Sequence, residues 1–386
     1  MGSTRRQILL AGLTAGSAGL GSALRSPVSI AQSSPSLMFQ RFIRPAYLGT
    51  TFSPLQCHYI GLDSRAAFRE ICTLGFDRIR LCAYWPDIEP QQGQFDFSTL
   101  DWLLGEAERY KIDVVLAVGM KVPRWPEFHF PRWVSDRYET GAGERALDLR
   151  SPAVAELALT FVNAVVNHCR YSPAIQYWQI ENEPFTQLEI AGGRFLSPEF
   201  VQRQVSLVRS RLWRDQKILL TNAIHLPKPK LAEDLPAFQH SLLAADAVGF
   251  NVYTKVPAGN SGAYIEPDRA FWGQLHDWQI QLSNAGKESW IAEAQAEPWE
   301  PQKLVALDKP DFPSASPRRM QVLVNTLARS NYSTVLLWGC EYWVWHKTQG
   351  RNLWWWTAKQ MIRSSKRSEN HSSLGPGLLR ASSTHP

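Results

Sequence analysis

The sequence predicts a single-domain (β/α)8 TIM barrel, an α/β fold in which eight parallel strands are each followed by a helix. Three observations predict it. From Tyr47 onward short apolar strands alternate with amphipathic helices, and that alternation implies a parallel sheet. Eight such units can be read before Met361, the number that closes a barrel. The turn after the first strand reads Thr51-Phe-Ser-Pro54 with no GxGxxG, which argues against a doubly wound open sheet with its phosphate-binding turn.

The elements follow in order. Leu48 to Phe52 reads as strand one, and Asp63 to Leu74 as a helix with Asp63 or Ser64 as cap and Gly75 at its end. Phe76 to Cys82 is strand two, followed by a loop through Glu89 and a helix from Ser98 to Tyr110 with Ser98 as its cap. Ile112 to Val118 is strand three, almost wholly apolar, as a strand covered on both faces should be. The loop from Gly119 to Arg150 is rich in Pro and aromatics, and loops of that length in compact chains are more often functional than idle. Ser151-Pro152 opens a helix whose apolar residues from Val154 to Val166 recur at helical spacing. Ile175 to Glu181 is strand four, broken by Asn182-Glu183-Pro184, since Pro184 cannot extend a ladder. Ser197-Pro198 starts a helix to about Trp213. Lys217 to Thr221 and Ala247 to Tyr253 are strands five and six, with a short helix from Pro236 to Ala245 between them. A helix from Arg269 to Asn284 leads to strand seven, Glu288 to Glu293. Ser316-Pro317 opens the next helix, Tyr332 to Trp338 is strand eight, and a last helix covers Asn352 to Met361.

The chain outside the barrel reads differently. Thr4-Arg5-Arg6-Gln7-Ile8-Leu9, followed by a Gly- and Ala-rich apolar run, resembles a twin-arginine export signal, so residues 1–36 are expected to be signal and linker. That run is too short and too diluted by Gly and Ser for a stable membrane span. The expected partner there is the twin-arginine export machinery, and the expected location is periplasmic or extracellular. The catalytic barrel is expected over residues 45–363, and a Ser-, Arg- and Gly-rich disordered tail over 364–386. The formal charge of +6 comes from the two ends, which leaves the middle near neutral and gives no support for a nucleic-acid face. Five cysteines without CxxC spacing argue against both a disulfide framework and a zinc cluster.

In such a barrel the chemistry sits at the C-terminal strand ends, so polar residues there are the ones to collect. They are Arg80 on strand two, Asn182 and Glu183 after four, Asn251 and Tyr253 at six, Glu293 at seven, and Trp338 with Glu341 at eight. A carboxylate at the lip of a buried strand must be paired, solvated in a cleft, or protonated. Strands four and seven lie on opposite sides of an eight-stranded ring, so Glu183 and Glu293 can flank one bond.

Here the pattern becomes specific. Asn-Glu-Pro after strand four, Ile-Ala-Glu293 ending strand seven and a Trp ending strand eight resemble glycoside hydrolase clan A, the superfamily of retaining TIM-barrel glycosidases that includes cellulase-, β-glucosidase- and β-galactosidase-like members. The resemblance implies a carbohydrate substrate, Glu183 as acid/base and Glu293 as nucleophile. It further implies Asn182 on the sugar 2-hydroxyl, Arg80 and Tyr253 on the nucleophile, and Trp338 beneath the reacting sugar. A retaining enzyme needs its carboxyl groups roughly 5–5.5 Å apart, one protonated and one ionised. Asn251-Val-Tyr253 departs from the His-x-Tyr common in members acting on cellulose or mannan, which puts an endo-cellulase reading in doubt.

Other residues keep open readings. Glu297 offers a second carboxylate near Glu293, as a rival nucleophile, a sugar-hydroxyl ligand or a structural ion pair. His129 either lines the cleft or packs between Phe128 and Phe130. Of Trp85, Trp125, Trp299, Trp343 and Trp345 at the same lip, two or three are expected to stack on sugar. Strand one lacks the His-x-His of a metal-dependent hydrolase, and His225 stands alone, so no metal and no cofactor are expected. The alternatives are a non-catalytic carbohydrate-binding protein on the same barrel, or a transglycosylase.

Overall fold

The computed structural model describes residues 42–188, 191–301, 307–308 and 312–372; the expected export signal lies outside them, as does most of the expected tail. Eight parallel strands form the frame: β1 (Tyr47–Thr51), β2 (Arg78–Cys82), β3 (Asp113–Val118), β4 (Ile175–Ile180), β5 (Lys217–Ala223), β6 (Ala247–Val252), β7 (Glu288–Gln295) and β8 (Thr334–Trp338). They close in the order β1-β8-β7-β6-β5-β4-β3-β2. Tyr47 stands beside Thr334 and Gly49 beside Arg78 at the two seams of β1. The (β/α)8 barrel expected from the pattern is therefore the fold.

Every residue of β2, β6 and β8 is buried, because helices cover one face and the barrel interior takes the other. The interior is a packed layer of Val115, Tyr177, Leu219, Ala247, Trp290 and Leu336, distinct from the larger core between strands and helices. Arg78 closes the N-terminal end. Its Nη1 donates to Thr334 Oγ1 at 2.6 Å, and its guanidinium lies 3.7 Å from the Tyr47 ring centre and 4.7 Å from that of Trp290.

Side-chain caps open five of the thirteen helices among the described residues. Ser53, Asp63, Ser197, Asp268 and Ser316 each accept the backbone N–H three residues on, which stabilises a helix end by about 1 kcal/mol. Two expected caps differ. Ser151 stands before the helix Pro152–Cys169 but makes no side-chain cap bond, and Ser98 is the first residue of its helix rather than the cap. Pro236 lies inside a helix that already starts at Leu231. Five helices escaped the pattern: one-turn pieces at Trp85–Ile88, Arg132–Ser135 and Leu147–Arg150 inside expected loops, and two longer ones, Pro54–Ile60 and Cys340–Thr348. The last is dense in Tyr and Trp, residues that favour strands by propensity and are helical here through burial. The terminal helix runs from Leu353 to Ser372, beyond the expected end at Met361 and into the segment expected to be disordered, because no Gly or Pro interrupts it there. Among the described residues all five cysteines are free and buried, and no helix is long and apolar enough to cross a membrane.

Candidate active site

Chain geometry at the end of β4 turns Glu183 into the mouth. Glu181 and Glu183 both take left-handed backbone conformations, with φ of 56° and 46°, at a cost of about 1–3 kcal/mol each for a residue with a side chain. Their surroundings hold them there. The Glu181 carboxylate accepts the backbone N–H of Met120 at 3.2 Å and of Lys121 at 2.6 Å, and Gln204 Nε2 at 2.5 Å. Gly119 makes room for it: at φ 135°, a Cβ there would lie 2.2 Å from the Glu181 carboxyl carbon. The Glu183 N–H donates to Thr221 Oγ1 at 3.0 Å, and Lys121 Nζ donates to the Glu183 carbonyl at 2.7 Å.

Two carboxyl groups meet in that mouth under different fields. Glu183 Oε1 accepts Asn251 Nδ2 at 2.6 Å. Burial pushes its pKa up to about 7, against the pull of Lys121 and with a further push from the charge of Glu293. Glu293 Oε1 accepts Arg80 Nη2 at 2.7 Å, and its Oε2 accepts the hydroxyl of Tyr253. Arg80 is fully buried and fixed in turn by Thr51 Oγ1 at 3.0 Å and Gln179 Oε1 at 3.1 Å. One carboxyl therefore keeps a proton near neutrality while its neighbour faces a guanidinium and a phenol.

The remaining anticipated residues gather at the same end. Asn182 accepts Gln179 Nε2 and Thr221 Oγ1, both at 3.2 Å, and gives its Nδ2 to Glu127 Oε2 at 3.1 Å. Asn251 lies beside Glu293 in the β6–β7 register. Trp338 is buried with the Arg124 guanidinium 4.0 Å from its ring centre, so the floor expected for a sugar is covered on that face. Glu297 pairs with Arg124 Nη1 at 2.9 Å. His129 is packed: its Nε2 lies 3.0 Å from the Arg124 carbonyl, its ring 4.8 Å from Tyr84, and burial lowers its pKa to about 4.

Among the lip tryptophans, Trp85 and Trp343 are fully buried, Trp85 stacked on Phe161 and Trp343 donating its Nε1 to the Ala296 carbonyl at 2.7 Å. Trp125, with 36% of its surface exposed, and Trp299, 4.1 Å from the Tyr253 ring, remain available to a ligand.

Four charged residues at the mouth were not anticipated as site residues. Lys121, Arg124 and Glu127 come from the β3 loop, and Glu341 had been collected only as a strand-end carboxylate. Arg124, at φ 89°, reaches across the mouth to Glu297 and, through Nη2 at 2.6 Å, to Glu341, whose Oε1 accepts the Ser53 N–H at 2.6 Å. Lys121 is fully buried beside Glu183. The signal that could have found them is a charged residue three positions beyond an all-apolar strand, followed by a loop too rich in Pro and Trp to be a linker.

The closed parallel barrel thus carries, at the C-terminal strand ends where this fold places its chemistry, one buried carboxyl with a raised pKa and one carboxylate bound by a guanidinium. Residues 64–192, from the first long helix through β4 and the Asn182–Glu183 lip, match the family model described as Beta-galactosidase. No curated protein matches in sequence. Solved structures share the fold. The β-galactosidase of the haloarchaeon Halorubrum lacusprofundi aligns over 75% of this chain and 52% of its own at 17% identity and TM-score 0.51. The β-galactosidase of Marinomonas ef1 aligns over 85% and 61% at 14% identity and TM-score 0.57. A GH5_18 protein of Streptomyces cattleya, in complex with GlcNAc, aligns over 77% and 71% at 14% identity and TM-score 0.52. The chain thus spans about half the length of the Halorubrum enzyme.

Proposed function

We propose that this protein is a retaining glycosidase acting on β-linked oligo- or polysaccharides by double displacement. Glu293, ionised beside Arg80, attacks the anomeric carbon while protonated Glu183 gives its proton to the departing oxygen, leaving a glycosyl ester on Glu293. Glu183, now a carboxylate, takes a proton from water as the water attacks the same carbon, releasing the sugar and restoring both groups. Asn182 bonds the 2-hydroxyl, Tyr253 orients the nucleophile, and Trp338 and Asn251 complete the walls around the reacting sugar. No cofactor takes part.

The observation that carries this reading is the difference in environment between two neighbouring glutamates, since environments that push paired carboxyl groups apart mark an acid and a nucleophile. The family match makes β-galactosides the first substrates to assay. The test is a panel of aryl β-glycosides with wild type, Glu183→Gln and Glu293→Gln. Turnover lost in both variants supports the reading, and wild-type inactivity on every glycoside favours the binding-protein alternative. Export follows from Arg5 and Arg6: replacing both with Lys should retain the chain in the cytoplasm.

A further inference from the structure

Glu127 is a buried acid on the loop after β3. It sits in a left-handed conformation, φ 69°, inside a tight turn closed by its own N–H on the Arg124 carbonyl at 2.7 Å and by the Val122 N–H on its carbonyl at 2.9 Å. That turn delivers its buried carboxylate to Asn182, 3.1 Å away and next in the chain to Glu183. Among the described residues no Lys or Arg nitrogen lies within 4.0 Å of it. Arg80 answers Glu293, and Arg124 answers Glu297 and Glu341. Lys121 is the cation acting on Glu127, yet its ammonium is bonded to the Glu183 carbonyl at 2.7 Å. Burial without a direct counter-ion pushes its pKa up to about 8, so near neutrality the group holds its proton and ionises only when a cation comes to lie beside it.

Beside the candidate acid, Asn251 donates its amide N–H to Glu183 but its Oδ1 has no hydrogen-bond partner, although the residue is only 4% exposed. Glu297 Oε2, in a residue 2% exposed, also has none. These are acceptors in want of donors, in a mouth where acid outnumbers base. An ammonium group brings three donors, no acceptor and a positive charge beside which Glu127 can ionise. Two donors, Trp338 Nε1 and Arg124 Nε, are also unpartnered and suit hydroxyl oxygens.

We propose that Glu127 is a specificity-determining residue that, with Asn182, contacts the substituent on the sugar carbon next to the reacting one, and that the preferred substituent is a protonated amine, as in a 2-amino-2-deoxy sugar. This rests on the retaining-glycosidase reading for which carbon Asn182 faces. It goes beyond that reading in assigning a residue and a substrate class.

Three aryl β-glycosides differing only at C2 (amino, hydroxyl, hydrogen), assayed at pH 6 with wild type, Glu127→Gln and Glu127→Asp, test it. Wild type should favour the 2-amino substrate over the 2-hydroxyl one by at least tenfold in kcat/KM. Glu127→Gln should lose at least ten times more on the 2-amino than on the 2-deoxy substrate, with Glu127→Asp recovering part of the difference. A wild-type preference for the 2-hydroxyl substrate, or an equal loss on all three, overturns the proposal. If wild type turns over none of them, the glycosidase reading fails separately, and calorimetric binding of glucosamine decides this one. Binding weakened at least tenfold by Glu127→Gln supports it, and absent or unchanged binding overturns it.

Discussion

Asn251 stands beside Glu293 in the strand register while its side-chain amide holds the Glu183 carboxyl at 2.6 Å, so one residue of β6 ties the two lips of the mouth together. The relation explains how carboxyl groups from distant parts of the chain keep a fixed geometry without a metal or a disulfide among the described residues. The β6–β7 ladder sets the Asn251 backbone against the strand of one glutamate, and the amide reaches the other.

It follows that Asn251→Ala should lower kcat roughly 10²-fold or more, by releasing the acid from its position. Asn251→Asp should be as severe, because a second negative charge would face Glu183. Steady-state kcat and KM of both variants check this; an unchanged kcat would detach Asn251 from the machinery.

The pKa of Glu183, raised to about 7 chiefly by burial, predicts the alkaline side of the activity profile. In the proposed mechanism Glu183 must carry its proton, so kcat/KM falls as pH rises through about 7. Lys121 pulls that pKa down, so Lys121→Met should move the alkaline limb to higher pH, whereas a purely structural lysine would leave its position unchanged.

Stability should also fall with rising pH, for a related reason. Folding lifts the pKa of Glu181 to about 7 and of Glu127 to about 8, each mainly through burial. The folded chain then binds protons more tightly than the unfolded one. The stability this contributes is complete below the ordinary glutamate range and is lost as pH climbs through 7 to 8. The Tm should drop between about pH 5 and pH 8.5, and Glu127→Gln should flatten the slope. A Tm that rises over that interval would contradict the protonation states described here.

How much of this was legible beforehand depends on which forces leave a mark in one sequence. Alternation of apolar strands and helices is written by burial on two faces, so the barrel and all eight strands could be read. Glu183 and Glu293 could be read because a carboxylate at the lip of an apolar strand is conspicuous. Lys121, Arg124 and Glu127 could not be given roles. Their positions depend on the left-handed turns at Arg124 and Glu127, which no periodicity announces. The helix Cys340–Thr348 was hidden by its aromatic content, and the packing of Trp85 and Trp343 inside the core was indistinguishable, from sequence, from a place on the lip.

Gly339 gives a separate check on the mouth. At φ 119°, a Cβ there would stand 2.4 Å from Glu297 Cβ, so Gly339→Ala must displace Glu297 and with it the Arg124 bridge. A loss of about 1–3 kcal/mol in chemical denaturation is expected, together with reduced activity. Full stability would mean that the β7 and β8 lips are looser than described.

The central claim is that Glu293 forms a covalent bond to the sugar while Glu183 moves the proton. The most direct test is trapping with a 2-deoxy-2-fluoro aryl β-glycoside carrying a good leaving group, followed by peptide mapping by mass spectrometry. The account predicts one fluoroglycosyl group per chain on the peptide containing Glu293. A label on Glu297, or none under conditions in which the matched substrate turns over, would contradict it.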